Sequence, residues 1–158
     1  MSTGESTRIE RARIVEIARE YLGTRFHHQG REKGVGIDCV GLPICVAERL
    51  EIKDRHGVPI LRTDHLSYSP EPGSRLVHDI CVRRLDQKAA GAALEDGDVL
   101  TMRVPTLPCH AAIVAFHGLD PYIIHAYSAG PEKCVEHILN EAWSRRIIGK
   151  FRFPGVSD

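Results

Sequence analysis

The chain has 158 residues, with 21 basic and 21 acidic side chains and a formal net charge of zero. That length is enough for one domain to bury a real core, and 42% apolar with 27% charged content excludes wholesale disorder. The neutral balance lacks the basic footprint of a nucleic-acid binder, and five cysteines without a C-x-x-C pair make a poor disulfide framework and a poor structural zinc site.

Residues 1–6 are polar and read as a flexible lead-in, without the apolar stretch of a Sec signal peptide. No apolar run approaches the ~18–20 residues of a membrane span. Thr7 and Glu10 fit a capping box, and Ile14, Ile17, Ala18 and Tyr21 then repeat at helical spacing up to Gly23. A second helix is expected from about Cys39 to Leu50, with Asp38 as its N-cap and Pro43 tolerated in its first turn. Asp54 to Ser74, with Gly57, Pro59, Pro70, Pro72 and Gly73, reads as a long loop. A third helix is expected from about Ser74 to Ala90.

After Gly91 the texture changes to short apolar runs rich in β-branched residues. Asp96-Gly97-Asp98 is a turn signal, and candidate strands follow at 99–102, 111–116, 122–126, 134–138 and 147–153. Helices first and strands second is the α+β pattern, here a single domain over residues 1–158 with an antiparallel sheet of about five strands.

The chemistry concentrates at Gly34-Val35-Gly36-Ile37-Asp38-Cys39, a glycine-rich loop that delivers a cysteine to the start of a helix. Thiolate is the nucleophilic form, and backbone amides with the helix dipole favour it there, lowering the thiol pKa by about a unit or more. The competing reading is a buried cysteine acting as a small apolar side chain. A nucleophile needs a base, and His110 opens the strand beginning Ala111. If that strand pairs with the next as a hairpin, His125 falls beside His110 and can hold its imidazole in the working tautomer. A lone strand histidine is ordinarily structural; the ordered set of Cys39, His110 and His125 favours the catalytic reading.

This set resembles the NlpC/P60 family of papain-like cysteine peptidases. The resemblance runs through Gly23-Thr24-Arg25-Phe26, Asp38-Cys39-Val40-Gly41-Leu42, Gly97-Asp98-Val99-Leu100, His110-Ala111-Ala112-Ile113 and Ile124-His125-Ala126, spanning about residues 8 to 153. It implies a papain-like fold and hydrolysis of a peptidoglycan stem peptide, after γ-D-glutamate and before a diamino acid, by Cys39, His110 and His125 without a cofactor. His27-His28-Gln29-Gly30, Lys33-Gly34-Val35-Gly36, Tyr68-Ser69-Pro70 and the Arg145–Pro154 segment are similar to the phage-type branch, encoded among tail genes of phages and gene transfer agents. That branch implies tail proteins as partners and delivery to the cell wall by the particle, consistent with synthesis in the cytoplasm without a signal peptide.

Three positions depart from the family pattern. Phe26 replaces a tyrosine and cannot donate a hydrogen bond, Val40 replaces a serine, and Cys109 directly precedes His110. Asp38, Phe26, His27 and His28 are expected to line the substrate or oxyanion region. Adjacent His27 and His28 would point to opposite faces of an extended segment, which argues against a shared metal. His56, His65, His78 and His137 read as surface residues, and Trp143 with Arg145 and Arg146 as packing and a solvated patch. The rival functions are a murein endopeptidase or effector outside any particle, a non-catalytic tail-tip or murein-binding module, and acyl transfer on the same three residues.

Overall fold

The helical spacing of Ile14, Ile17, Ala18 and Tyr21 is realised in α1 (Arg11–Glu20), whose buried stripe is Ile14, Val15, Ile17 and Ala18. A computed structural model describes residues 8–63, 75–104 and 107–157. Thr7 lies outside these residues. Glu10, expected inside the first helical turn, is instead the extended N-cap and makes no side-chain capping bond.

Two short strands, β1 (Arg31–Glu32) and β2 (Gly36–Ile37), pair as an antiparallel ribbon and lead into α2 (Gly41–Arg49). The expected start at Cys39 is two residues early. Asp38 nevertheless caps the turn before the helix, because its Oδ1 accepts the Gly41 N–H at 2.8 Å and its carbonyl accepts the Leu42 N–H at 3.3 Å. Of the loop expected from Asp54, residues up to 63 are described. There the Asp54 carboxylate accepts the N–H groups of His56 and Val58 and the Arg84 Nε–H, fixing a tight turn. His65, Tyr68-Ser69-Pro70 and the expected helix start at Ser74 lie outside the described residues.

The third helix, α3 (Leu76–Arg84), ends six residues before the expected Ala90. Asp86–Gln87 forms β3 instead, pairing with Arg152 and Phe151. The remaining elements are β4 (Val99–Val104), β5 (Leu107–His117), β6 (Asp120–Tyr127), β7 (Lys133–Ile138), a one-turn α4 (Glu141–Ser144) and β8 (Ile147–Arg152). The main sheet has the order β3-β8-β4-β5-β6-β7, every pair antiparallel. It therefore has six strands where about five were expected, and β1–β2 is an additional ribbon.

Along β5 the side chains alternate between two cores. Ala111, Ile113 and Ala115 pack with α1, α2 and α3, while Ala112 and Val114 join Leu100, Met102, Ile123 and Leu139 on the other face. The three longer helices thus lie on one face of the sheet, an α+β arrangement. The Gly97-Asp98 turn anchors the sheet to α1: fully buried Asp98 binds Arg11 Nη1 at 3.0 Å and Lys88 Nζ at 2.6 Å. Among the described residues, no helix is long and apolar enough to cross a membrane.

Candidate active site

Backbone geometry opens the sheet where the expected catalytic histidines lie. Val114 donates to Asp98 O and accepts from Gly97 N. In an antiparallel strand the N–H and C=O of one residue point the same way and alternate along the chain. Even-numbered residues of β5 therefore face β4, and Ala111 and Ile113 face β6. The β5–β6 ladder, however, runs only from His117↔Asp120 to Ile113↔Ile124. Beyond it β6 continues with β7 as far as Tyr127↔Lys133, and β5 continues with β4. The strands part at this end, and the Ala111 N–H meets the Cys39 Sγ there.

The imidazoles of His110 and His125 touch each other just past the end of that ladder. His110 Nε2 lies 2.6 Å from His125 Nδ1, with ring centroids 4.8 Å apart at 78°. Both side chains are fully buried, and among the described residues His110 Nδ1 has no hydrogen-bond partner. The expected neighbouring-strand contact is present, and Cys39 is placed against the amide of the residue that follows His110.

The electrostatics differ from the expectation for a helix N-terminus. Cys39 is 5% exposed. Burial pushes its thiol up from 9.0 to about 12, and the negative charge of Asp38 adds to the rise. Hydrogen bonding from the Ala111 and Val40 amides favours the thiolate but does not overcome these effects. Burial also pulls His110 down from 6.5 to about 3, assisted by His137. Both shifts favour the neutral thiol and the neutral imidazole over thiolate and imidazolium.

Of the four residues expected to line the cleft, Asp38 is committed to the scaffold. Its buried carboxylate accepts from Gln29 N, Arg31 Nη1 and Gly41 N, each at 2.8 Å. Phe26 is half-buried and packs against the helix-side core. Its N–H donates to Glu132 O at 2.8 Å, which docks residues 23–26 near β7. His27 and His28 are exposed, with His27 Nδ1 3.0 Å from the His28 carbonyl oxygen. Among the described residues, no three His, Cys, Asp or Glu side chains converge as metal ligands.

Glycines let Gly30 pack closely against the backbone on either side of Cys39 in sequence. A Cβ on Gly30 would sit 2.6 Å from the Gly36 backbone, and one on Gly41 would sit 2.4 Å from Gly30 O. All five cysteines are free and buried.

Two histidines read as surface residues are half-buried and bond inward. His78 Nδ1 lies 2.9 Å from Thr101 Oγ1, and His137 Nε2 lies 2.7 Å from His125 Nε2. The missing signal for His137 was register: Ile123 pairs with His137 and His125 with Val135, so β7 places His137 diagonally beside His125 on the same face. Trp143 covers this group edge-on, 5.1 Å from the His125 ring centroid, and carries the Arg146 guanidinium 4.4 Å above its own ring. Arg145 pairs with Glu141 at the surface.

The fold recurs in solved structures. The NlpC/p60 domain of the peptidoglycan hydrolase SagA superposes with a TM-score of 0.57 at 20% identity, over 92% of this chain and 100% of that one. The chain has the NlpC/P60 fold. An NlpC/P60 family protein from Bacillus cereus matches at TM-score 0.59 and 18% identity, covering 92% of this chain and 41% of its own. A protein similar to an NLP/P60 family lipoprotein, from Staphylococcus aureus, matches at 0.55 and 17%, over 96% and 45%. The NlpC/P60 fold here thus spans all of one relative and under half the length of the other two. No family model and no curated protein matches the sequence.

Proposed function

We propose that the chain is a cysteine peptidase that hydrolyses an amide bond of the peptidoglycan stem peptide, between γ-D-glutamate and a diamino acid. The observations that carry this reading are the Cys39 Sγ held on the amide of Ala111, the residue after His110, and the 2.6 Å contact of His110 Nε2 with His125 Nδ1. The NlpC/P60 fold supports it, since SagA is a peptidoglycan hydrolase.

With burial favouring the neutral form of both groups, the thiol proton leaves as the nucleophile attacks. Cys39 Sγ bonds to the carbonyl carbon while its proton passes to His110, and the Cys39 backbone N–H receives the developing oxyanion. His110 then returns the proton to the leaving amine, the C–N bond breaks and a thioester remains. Water, deprotonated by His110, hydrolyses the thioester and restores the thiol. His125 holds the His110 ring throughout. Exposed His27 and His28 and the ring of Phe26 line the approach from the glycine loop.

The setting we propose is a phage-like tail particle that delivers the enzyme to the cell wall, with tail proteins as partners. This rests on the sequence resemblance to the phage-type branch. Detection of the chain in purified particles supports that setting, and its absence from them refutes it.

Incubation of purified sacculi with the wild type and with Cys39→Ala, followed by mass spectrometry of the muropeptides, tests the chemistry. The wild type yields products split at the γ-D-glutamyl bond and the variant yields none. Equal products from the two would sink the mechanism. The 5% exposure and raised pKa of Cys39 favour one second reading, a module that binds tail proteins or murein without cutting. Undegraded sacculi retained by both proteins would support that reading.

A further inference from the structure

The histidine pair extends into a chain of three. His137 Nε2 lies 2.7 Å from His125 Nε2, and His137 Nδ1 lies 3.0 Å from the carbonyl oxygen of Ile138. A carbonyl oxygen only accepts, so His137 Nδ1 must carry the hydrogen of that bond. In a neutral ring the other nitrogen is then bare. His137 Nε2 therefore accepts, and His125 Nε2 must donate to it. His125 Nδ1 is left bare and accepts from His110 Nε2 at 2.6 Å. Three neutral rings supply three hydrogens for three bonds, and this is the one assignment that satisfies all of them. It leaves the His110 Nδ1 lone pair free, and that atom is buried without a partner among the described residues.

We propose that His137 is a positioning residue that sets the tautomer of His110 through His125, so that His110 Nδ1 is the base that takes the Cys39 proton. This rests on the peptidase reading above and deepens it by naming the basic atom and what fixes it. His137 neither gains nor loses a proton in the cycle. The Ile138 carbonyl is the fixed end that polarises the whole chain. Reversing that end reverses every bond: a donor in place of His137 leaves His125 Nε2 bare, puts a hydrogen on His125 Nδ1 aimed at His110 Nε2, and moves the His110 hydrogen onto Nδ1. The base is then blocked while every bond length is kept. Burial favours neutral rings at His110 and His125, holding both well below the ordinary histidine range.

Two variants of opposite polarity test this. His137→Glu offers only acceptors, and His137→Lys as an ammonium offers only donors. We expect His137→Glu to keep kcat within several-fold of wild type, and His137→Lys to lose roughly 10²-fold in kcat with KM unchanged. A merely structural role for His137 would lower both alike. Equal losses, or an unimpaired His137→Lys, overturn the proposal. The second measurement needs no activity: ring-nitrogen NMR of histidine-labelled wild type at pH 8. It should find hydrogen on Nε2 of His110 and His125 and on Nδ1 of His137. Hydrogen on His110 Nδ1 overturns the proposal even in a fully active enzyme. The expected tautomers in a protein that leaves sacculi intact would sink the peptidase reading, and with it the base role, while the fixed tautomer stands.

Discussion

The Arg31 guanidinium meets the Asp38 carboxylate at 2.8 Å, directly before Cys39, with side-chain exposures of only 14% and 2%. The same carboxylate fastens the Gln29 and Gly41 amides, yet its charge helps to hold the neighbouring thiol protonated. Structure and reactivity therefore pull in opposite directions at this residue. Asp38→Asn should destabilise the fold by about 3 kcal/mol, because it breaks one half of a buried ion pair. It should also speed alkylation of Cys39 in the folded protein, because it removes a negative charge beside the thiol. Urea unfolding reads the first effect, and mass-spectrometric alkylation rates of the Cys39 peptide read the second. An unchanged alkylation rate in Asp38→Asn would show that burial alone sets the thiol.

The pH dependence of stability follows from the same buried groups. His110 has its pKa pulled from 6.5 to about 3 and His125 is also lowered, both chiefly by burial. The unfolded chain binds protons below 6.5 that the native state refuses. The stability from these neutral rings is thus present above pH 6.5 and lost as pH falls from there towards 3. Each contributes a slope of up to about 1.4 kcal/mol per pH unit. On the alkaline side, Cys39, Cys81 and Cys134 are pushed up from 9.0 to about 12. Their contribution is full below pH 9 and is lost as pH rises from 9 to 12. Denaturation midpoints should therefore be flat between pH 6.5 and 9 and fall on both sides. The window from 6.5 to 4.5 isolates the histidines from the carboxylates. A slope there of less than one proton would contradict the burial of His110 and His125.

The contact of His110 with His125 and the place of Cys39 just before α2 were legible because they carry local signals: a glycine loop before a helix, a histidine opening an apolar strand, and a second histidine on the partner of a hairpin. The hairpin depends on little more than Gly118 at φ +65° between β5 and β6. What was not legible depends on long-range register or on burial. β3 is two residues of a polar stretch made into a strand only by β8, so the helix pattern before it ran on past Arg84 in the sequence reading. His137 becomes a partner of His125 only once β7 is placed beside β6. The helix N-terminus was a sound argument for a lowered Cys39 pKa, but a first turn of dipoles is outweighed when the thiol is nearly enclosed.

The five cysteines separate thiol burial from disulfide formation in one measurement. All are free and buried, and burial raises the thiol pKa of each one. A chromogenic thiol reagent at pH 7.5 should react with the native protein far more slowly than with a simple alkyl thiol, because so little thiolate is present. In denaturant it should count five thiols at once. Fewer than five would mean a bridge, and a fast native thiol that maps to Cys39 would mean an open site with a lowered pKa.

Gly30 and Gly91 are a matched pair for testing the close approach of Gly30 to the strand that leads into Cys39. A methyl on Gly30 would meet the Gly36 carbonyl carbon and oxygen at 2.6 Å and Ile37 N at 2.8 Å, all backbone atoms that cannot turn away. The strand β2 must then shift, and Asp38 and Cys39 follow it. Gly30→Ala should cost about 1–3 kcal/mol, the usual range for overpacking, and should lower muropeptide hydrolysis more than the stability loss explains. At Gly91 a methyl meets nothing within 4 Å, and the backbone is not in the left-handed region. Gly91→Ala should be neutral or stabilise by up to about 1 kcal/mol by restricting the unfolded chain. Urea unfolding and hydrolysis measured on both variants decide the matter. Equal stability of Gly30→Ala and Gly91→Ala would mean that Gly30 and β2 do not approach as closely as the structure has them, and that the loop holding Cys39 tolerates an added methyl.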